Sequence, residues 1–249
     1  MELQQTRARQ RLVGLSIAAL VIGAWVIIHL FGILAWRASE HGWAIAFVLV
    51  AVQTWLSTGL FIIAHDAMHG ALAPGRPEWN RRVGTLCLMF YAGLSYRQLL
   101  PKHGAHHRHA GTAEDPDFHA PNPRRALPWF GRFFATYYTH GQIIRISAAM
   151  LVYTLVLGAS YWNILLFWAV PALLALAQLF YFGTYLPHRH HRDDFADNHR
   201  ARSLALSPAV SLFTCFHFGG YHHEHHLSPG TAWWQLPGFR RSRQASGQS

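Results

Sequence analysis

The chain has 249 residues, 13% of them charged and 51% hydrophobic, with 19 histidines, two cysteines and a net charge of +10. A charged share about half the usual 25% or so excludes an ordinary soluble surface, and two cysteines in apolar surroundings, Cys87 and Cys215, exclude a disulfide framework or a thiolate metal site. The basic excess does not point to nucleic acid, because the tryptophans and phenylalanines lie mainly in uncharged stretches rather than among the arginines.

In chain order, residues 1–11 form a short basic segment with Arg7, Arg9 and Arg11. Leu12 to Trp36 and Trp43 to Ala64 follow, both without formal charge, and each exceeds the roughly 20 residues a helix needs to cross the hydrocarbon. The first run is too long for the h-region of a cleaved signal peptide, about 7–15 residues, and is predicted to be a true span. Val83 to Tyr96 is apolar but too short to cross, which predicts an interfacial or re-entrant helix. A second pair of runs, Ile146 to Trp162 and Asn163 to Leu186, has almost no linker between its members. Pro171 lies inside the fourth run, where membrane neighbours tolerate a kink. Arg240 to Ser249 is polar and is predicted to be a disordered tail.

The predicted fold is therefore all-α and integral to the membrane. Four transmembrane helices in two hairpins, the short helix and a histidine-rich cap make one domain over residues 1–249. Every cation except Arg37 and Arg145 falls before the first span, between the two hairpins or after the fourth span. The positive-inside rule places those segments, and both termini, in the cytoplasm. All histidines but His29 and His41 fall on the same side.

Three histidine clusters stand out. His65-Asp-Ala-Met-His69 closes the second span, and its i, i+4 spacing puts both rings on one helix face. His103-Gly-Ala-His106-His107 follows the short apolar helix, and His222-His223-Glu224-His225-His226 follows the fourth span with the same 3 and 4 spacings. One such pair near a membrane surface is commonly no more than hydrogen-bonded. Three on one side, each beside an apolar helix end, point to metal.

Eight imidazoles, His65, His69, His103, His106, His107, His222, His225 and His226, overshoot one zinc site of three or four ligands. The His-Glu-x-x-His metalloprotease motif is absent, since Leu227 stands where its second histidine would be. Two metals fit the count. Among the metals that imidazole suits, non-haem iron handling dioxygen is the reading for a two-metal site beside a membrane. Neutral ligands leave such a centre cationic, so neighbouring acids are expected to orient ligands and balance charge. Asp66, Glu114, Asp115, Asp117, Asp193, Asp194, Asp197 and Glu224 are placed for that.

The three boxes between helical hairpins resemble the membrane fatty-acid desaturase and hydroxylase superfamily. A longer string, Phe216-His-Phe-Gly-Gly-Tyr-His-His-Glu-His-His226 with Leu-Ser-Pro and Trp233-Trp-Gln-Leu-Pro237, looks like the bacterial beta-carotene ketolases, as do His65-Asp-Ala-Met-His-Gly70 and Leu186-Pro-His-Arg-His190. The resemblance implies a ninth ligand between the last span and the third box. His199 in Asp197-Asn-His-Arg-Ala-Arg-Ser203 matches it, although Asn198 and Arg200 depart from the family order; His188 competes, and His199 is favoured. It further implies two Fe2+ ions, dioxygen as co-substrate, and oxidation of the C4 and C4′ methylenes of beta-ionone rings to ketones. A carotenoid drawn from the bilayer of a bacterial inner membrane is the implied substrate. No flavin, nicotinamide or iron–sulfur motif is present, so an external ferredoxin-like donor with its reductase is implied, and Arg124, Arg125, Arg240, Arg241 and Arg243 are basic groups that could attract it.

A carotenoid 3-hydroxylase or a fatty-acid desaturase would share these ligands, and a histidine-rich metal or haem carrier is the non-enzymatic alternative. His109, His119, His140, His190 and His191 read first as surface or supporting groups, and His217 and His223 as hydrogen-bonding support. His29, inside a span, reads as a satisfied buried polar group or a functional one. Phe61, Tyr91, Tyr96, Phe180, Phe182 and Tyr185 are candidates for a polyene channel or simply core.

Overall fold

The structure is a computed structural model and describes residues 2–190 and 195–247; His191, Asp193 and Asp194 lie outside them. Ten helices carry the described chain. They are α1 (Glu2–Leu30), α2 (Ala38–Met68), α3 (Pro77–Ala92), α4 (Tyr96–His109), α5 (Ala126–Tyr137), α6 (His140–Leu151), α7 (Tyr161–His188), α8 (Pro208–Cys215), α9 (His222–Leu227) and α10 (Leu236–Ala245). No strand occurs among the described residues. Single π-helical turns extend α1 (Phe31–Ala35) and α6 (Val152–Val156) and interrupt α7 at Leu165–Ala169 and Leu179–Tyr185.

Three of these helices are long and apolar enough to cross a membrane: Gln4–Ala35, Ala38–Met68 and Tyr161–His188. The second hairpin differs from its sequence reading. Its first helix begins earlier, at His140, and is apolar but short, ending at Val156. At 1.5 Å per residue its 17 residues reach about 25 Å, less than the roughly 30 Å hydrocarbon core. The break falls at residues 157–160 because Gly158 takes a left-handed φ of +67° that a side chain would strain, and α7 restarts at Tyr161. Hydrophobicity alone could not place that break within one continuous apolar run.

Helix α2 is the spine, packed against α1, α3 and α7. Its buried polar side chains hold the neighbours: Trp25 of α1 donates to Ser57 at 3.0 Å, and Thr58 donates to Gln178 of α7 at 2.8 Å. Such bonds between membrane helices contribute about 0.6 kcal/mol each. The opposite surfaces expose Leu20, Ile27, Phe47, Leu155 and Leu173, as a lipid-facing flank requires.

Local signals explain the ends that face the site. Pro77 opens α3, and Gly93 closes it in the left-handed conformation at φ +62°. Pro208 opens α8, with the Ser207 hydroxyl accepting from Val210 N–H. After α8 two non-glycine residues, Phe216 and His217, take positive φ values of 46° and 70°. That costly pair reverses the chain into α9 and presses the Phe216 ring against Gly59, where a Cβ would lie 2.6 Å from it. The C-terminal segment is also ordered further than its polarity suggests: Arg240 to Ala245, read from sequence as tail, belong to α10.

Candidate metal centre

Four elements converge at one end of the bundle. The last turn of α2 brings His65 and His69, α4 brings His103, His106 and His107, the end of α7 brings His188, and α9 brings His222, His225 and His226. They sort into two groups in which the ligand-capable atoms lie within 4.8 Å of one another. His65, His69, His103, His107 and His225 form the first; His106, His188, His222 and His226 form the second.

All eight box histidines are thus brought together. The ninth position is a correction. His188, the last residue of α7, occupies the second group, its Nε2 2.8 Å from Nε2 of His222. His199 belongs to neither group: its ring centroid is 6.3 Å from that of His226, and its backbone N–H donates to Asp197 at 2.9 Å. The Asp197–Ser203 segment supports the site instead, because His188 Nδ1–H donates to the Arg200 carbonyl at 2.8 Å. Spacing carried no signal for His188, which lies 34 residues from His222.

The donor chemistry fits metal. His69 and His103 approach Nε2 to Nε2 at 2.6 Å, His107 and His225 at 3.1 Å, and His222 and His226 at 3.1 Å. His188 uses Nδ1–H as a donor to the Arg200 carbonyl, which in the neutral ring leaves Nε2 a lone pair aimed at its neighbours. Converging lone pairs repel unless a cation lies between them. Imidazole nitrogens bound at about 2.1 Å and right angles are separated by about 3 Å, close to the spacings here.

Electrostatics favour neutral ligands. Burial, reinforced by neighbouring rings, holds His103, His222, His225 and His226 well below the ordinary histidine range and brings His69 to about 4. Neutral imidazole is the form a metal requires. His106 differs. Burial opposes its charge, but Asp115 and Asp117 outweigh burial and raise it to about 9; the same carboxylates favour a cation at its Nε2. Asp115 lies 3.0 and 3.1 Å from His106 Nδ1 and accepts from the Gly111 and Asp117 backbone N–H groups, so it fixes both ring and loop.

The other acids divide by role. Glu224, between ligands on α9, is gripped by Arg240 and accepts from Ser203. Asp197 pairs with His223 at 2.8 Å, so His223 supports the site as its spacing suggested. Asp66 accepts from Trp233 N–H at 3.0 Å, tying the Trp233-Trp-Gln-Leu-Pro237 segment to α2. Glu114 is exposed and accepts from the Thr112 hydroxyl at 2.8 Å. His29 bonds to Tyr153 at 3.0 Å and stacks on Trp25, far from both groups in chain and partners. Phe218, which spacing could not single out, caps His65 and His225 at ring distances of 4.4 and 4.8 Å.

A cavity of about 410 Å³ runs from these rings along α2, α6 and α7. Phe61 and Tyr91 line it, while Tyr96, Phe180, Phe182 and Tyr185 do not. Among its walls, Ile143, Phe134 and Leu173 are exposed on the apolar flank, so it reaches the lipid-facing surface.

Fold and site together define an all-helical membrane protein with two adjoining groups of histidines able to hold metal. Comparison with known proteins narrows this. The fatty acid desaturase family profile matches residues 41–247. A beta-carotene ketolase of Paracoccus sp. strain PC1 is 47% identical over 238 residues, covering 96% of this chain and 95% of that protein. One from Paracoccus sp. strain N81106 is 50% identical over 220 residues, 88% of this chain and 89% of that one. A zeaxanthin 4-ketolase of Chlamydomonas reinhardtii is 37% identical over 245 residues, 94% of this chain and 54% of that protein. No solved structure matches. The chain belongs to the fatty acid desaturase family, and within it to the beta-carotene ketolases.

Proposed function

We propose that this protein is a non-haem di-iron oxygenase that oxidises the C4 and C4′ methylenes of beta-carotene to ketones, through echinenone to canthaxanthin. The observation that carries the reading is the cavity, which joins the histidine groups to the apolar flank between α6 and α7. A substrate dissolved in the bilayer can bring one ring to the metal centre without entering water. His65, His69, His103, His107 and His225 would hold one iron, and His106, His188, His222 and His226 the other. When bound, the pair supplies activation of dioxygen.

The chain's own residues do the rest. Apolar walls from Phe61, Leu99 and Leu179 exclude water and orient the ring, and Asp115 holds His106 in the tautomer that presents Nε2. Each round consumes one dioxygen, two electrons and two protons, inserts one oxygen into a C–H bond and releases water. A second hydroxylation of the same carbon gives a geminal diol, which loses water to the ketone. The electrons come from outside the chain, and a ferredoxin-like donor on the cytoplasmic side fits the basic surface there. In this reading α6 is a short fourth span, both termini and the histidine cap face the cytoplasm, and the membrane is the bacterial inner membrane, as the cation distribution and the bacterial relatives support.

The test is product analysis in a beta-carotene-producing host, paired with metal analysis of the purified protein. Expected are echinenone and canthaxanthin and about two irons per chain. Ketone formation by iron-free protein would overturn the reading.

A further inference from the structure

His106 has a single Nδ1–H, and Asp115 takes it with both carboxylate oxygens. A second, largely buried carboxylate, Asp117, with its side chain 12% exposed, stands 3.7 Å from the same nitrogen, which is beyond hydrogen-bond reach. Ligand orientation therefore does not account for Asp117. A buried carboxylate carries a desolvation cost of several kcal/mol unless its lone pairs are met.

Asp117 is nevertheless rigidly built. Its backbone N–H donates to Asp115 at 2.8 Å, its carbonyl accepts from Trp129 Nε1, and its Oδ1 accepts the hydroxyl of Tyr137. Tyr137 is in turn held beneath Lys102, whose Nζ is 5.0 Å from its ring centroid. Both Asp117 and Tyr137 line the cavity beside His103 and His106. Two other polar members of the wall are already engaged, with Tyr91 donating to the Ala172 carbonyl and Gln142 to the Ala92 carbonyl. A carboxylate offers about four acceptor positions, and Tyr137 fills one.

The geometry points to a hydroxyl subsite: Asp117, backed by Tyr137, accepts the O–H of an alcohol on the substrate ring. This rests on the ketolase reading above and extends it to substrate selection. A plain hydrocarbon ring leaves the acceptor unmet, whereas a ring alcohol satisfies it as the ring enters. The alcohol has two possible sources with one chemistry. It arrives on the carbon beside the reacting methylene, as in zeaxanthin, or it forms on the reacting carbon in the first round and is retained for the second.

The test uses the purified full-length holoprotein and two variants, Asp117→Ala and the isosteric Asp117→Asn. Affinity for zeaxanthin and for beta-carotene is read without oxygen by quenching of tryptophan fluorescence, and products are then read under air. A hydrogen bond to a charged group stabilises by about 1.5–3 kcal/mol, so the zeaxanthin preference should fall about tenfold or more in D117A and by less in D117N. A loss of preference assigns the subsite to incoming hydroxylated rings. Release of the half-oxidised 4-hydroxy product from beta-carotene by the variants assigns it to the intermediate. If D117A does not fold, D117N decides. Unchanged preference together with unchanged release overturns the subsite, whereas a wild-type protein that gives no ketone from either carotenoid overturns the ketolase reading instead.

Discussion

The guanidinium of Arg240 grips the carboxylate of Glu224 through two nitrogens, Nε to Oε1 at 2.6 Å and Nη2 to Oε2 at 2.7 Å. Glu224 stands between His223 and His225, so this pair clamps the ligand helix α9 from outside. The same Arg240 donates to the Gly220 carbonyl and lies 4.0 Å over the Tyr221 ring. Arg240→Ala should lower stability by about 1.5–3 kcal/mol, read as thermal unfolding in detergent, and speed loss of iron to a chelator. Lysine cannot reproduce the forked contact, so R240K should restore only part of both.

His188 and His199 make opposite predictions. Replacing His188 by alanine removes one of the four nitrogens of the second group and should reduce bound iron toward one per chain with loss of ketone formation. His199→Ala should retain two irons. Elemental analysis of both purified variants decides, and the reverse pattern would restore the ligand assignment that the sequence favours.

Asp115 holds His106 Nδ1 and would act on a bound metal through that ring. Asp115→Ala frees the ring to rotate and should weaken iron affinity about 10–100-fold, measured by competition with a chromophoric chelator. Folding should survive, since the other ligands remain on separate helices.

Gly59 tests the packing behind the third box. A Cβ there would meet the Phe216 ring at 2.6 Å, and Phe216 is fully buried at the reversed turn that leads into α9. Gly59→Ala should cost about 1–3 kcal/mol. An unchanged unfolding midpoint would show that the ring moves freely.

Much of the site was legible because ligand spacing is local. Helical 3 and 4 spacings brought His65 with His69 and His103 with His107, and charge-free runs marked the long helices. Four things were not. How each box divides between two groups depends on how α4 and α9 face each other, which no single segment encodes. His188 sits at a helix end with no partner at helical spacing, and its role depends on the Arg200 carbonyl reached across a loop. The second hairpin turns at Gly158 rather than between Trp162 and Asn163, because a left-handed residue stops a helix without altering the hydrophobic run. The last helix was obscured by polar composition, and it is held by Arg240 rather than by apolar periodicity.

Two pairs of sequence neighbours straddle the histidine groups. His107 and His225 belong to the first, and His106 and His226, one residue away on the same helices, to the second. Adjacent α-carbons are held 3.8 Å apart by the trans peptide. Each of α4 and α9 therefore carries one member of each group on consecutive residues, so neither helix can shift against one group without shifting against the other.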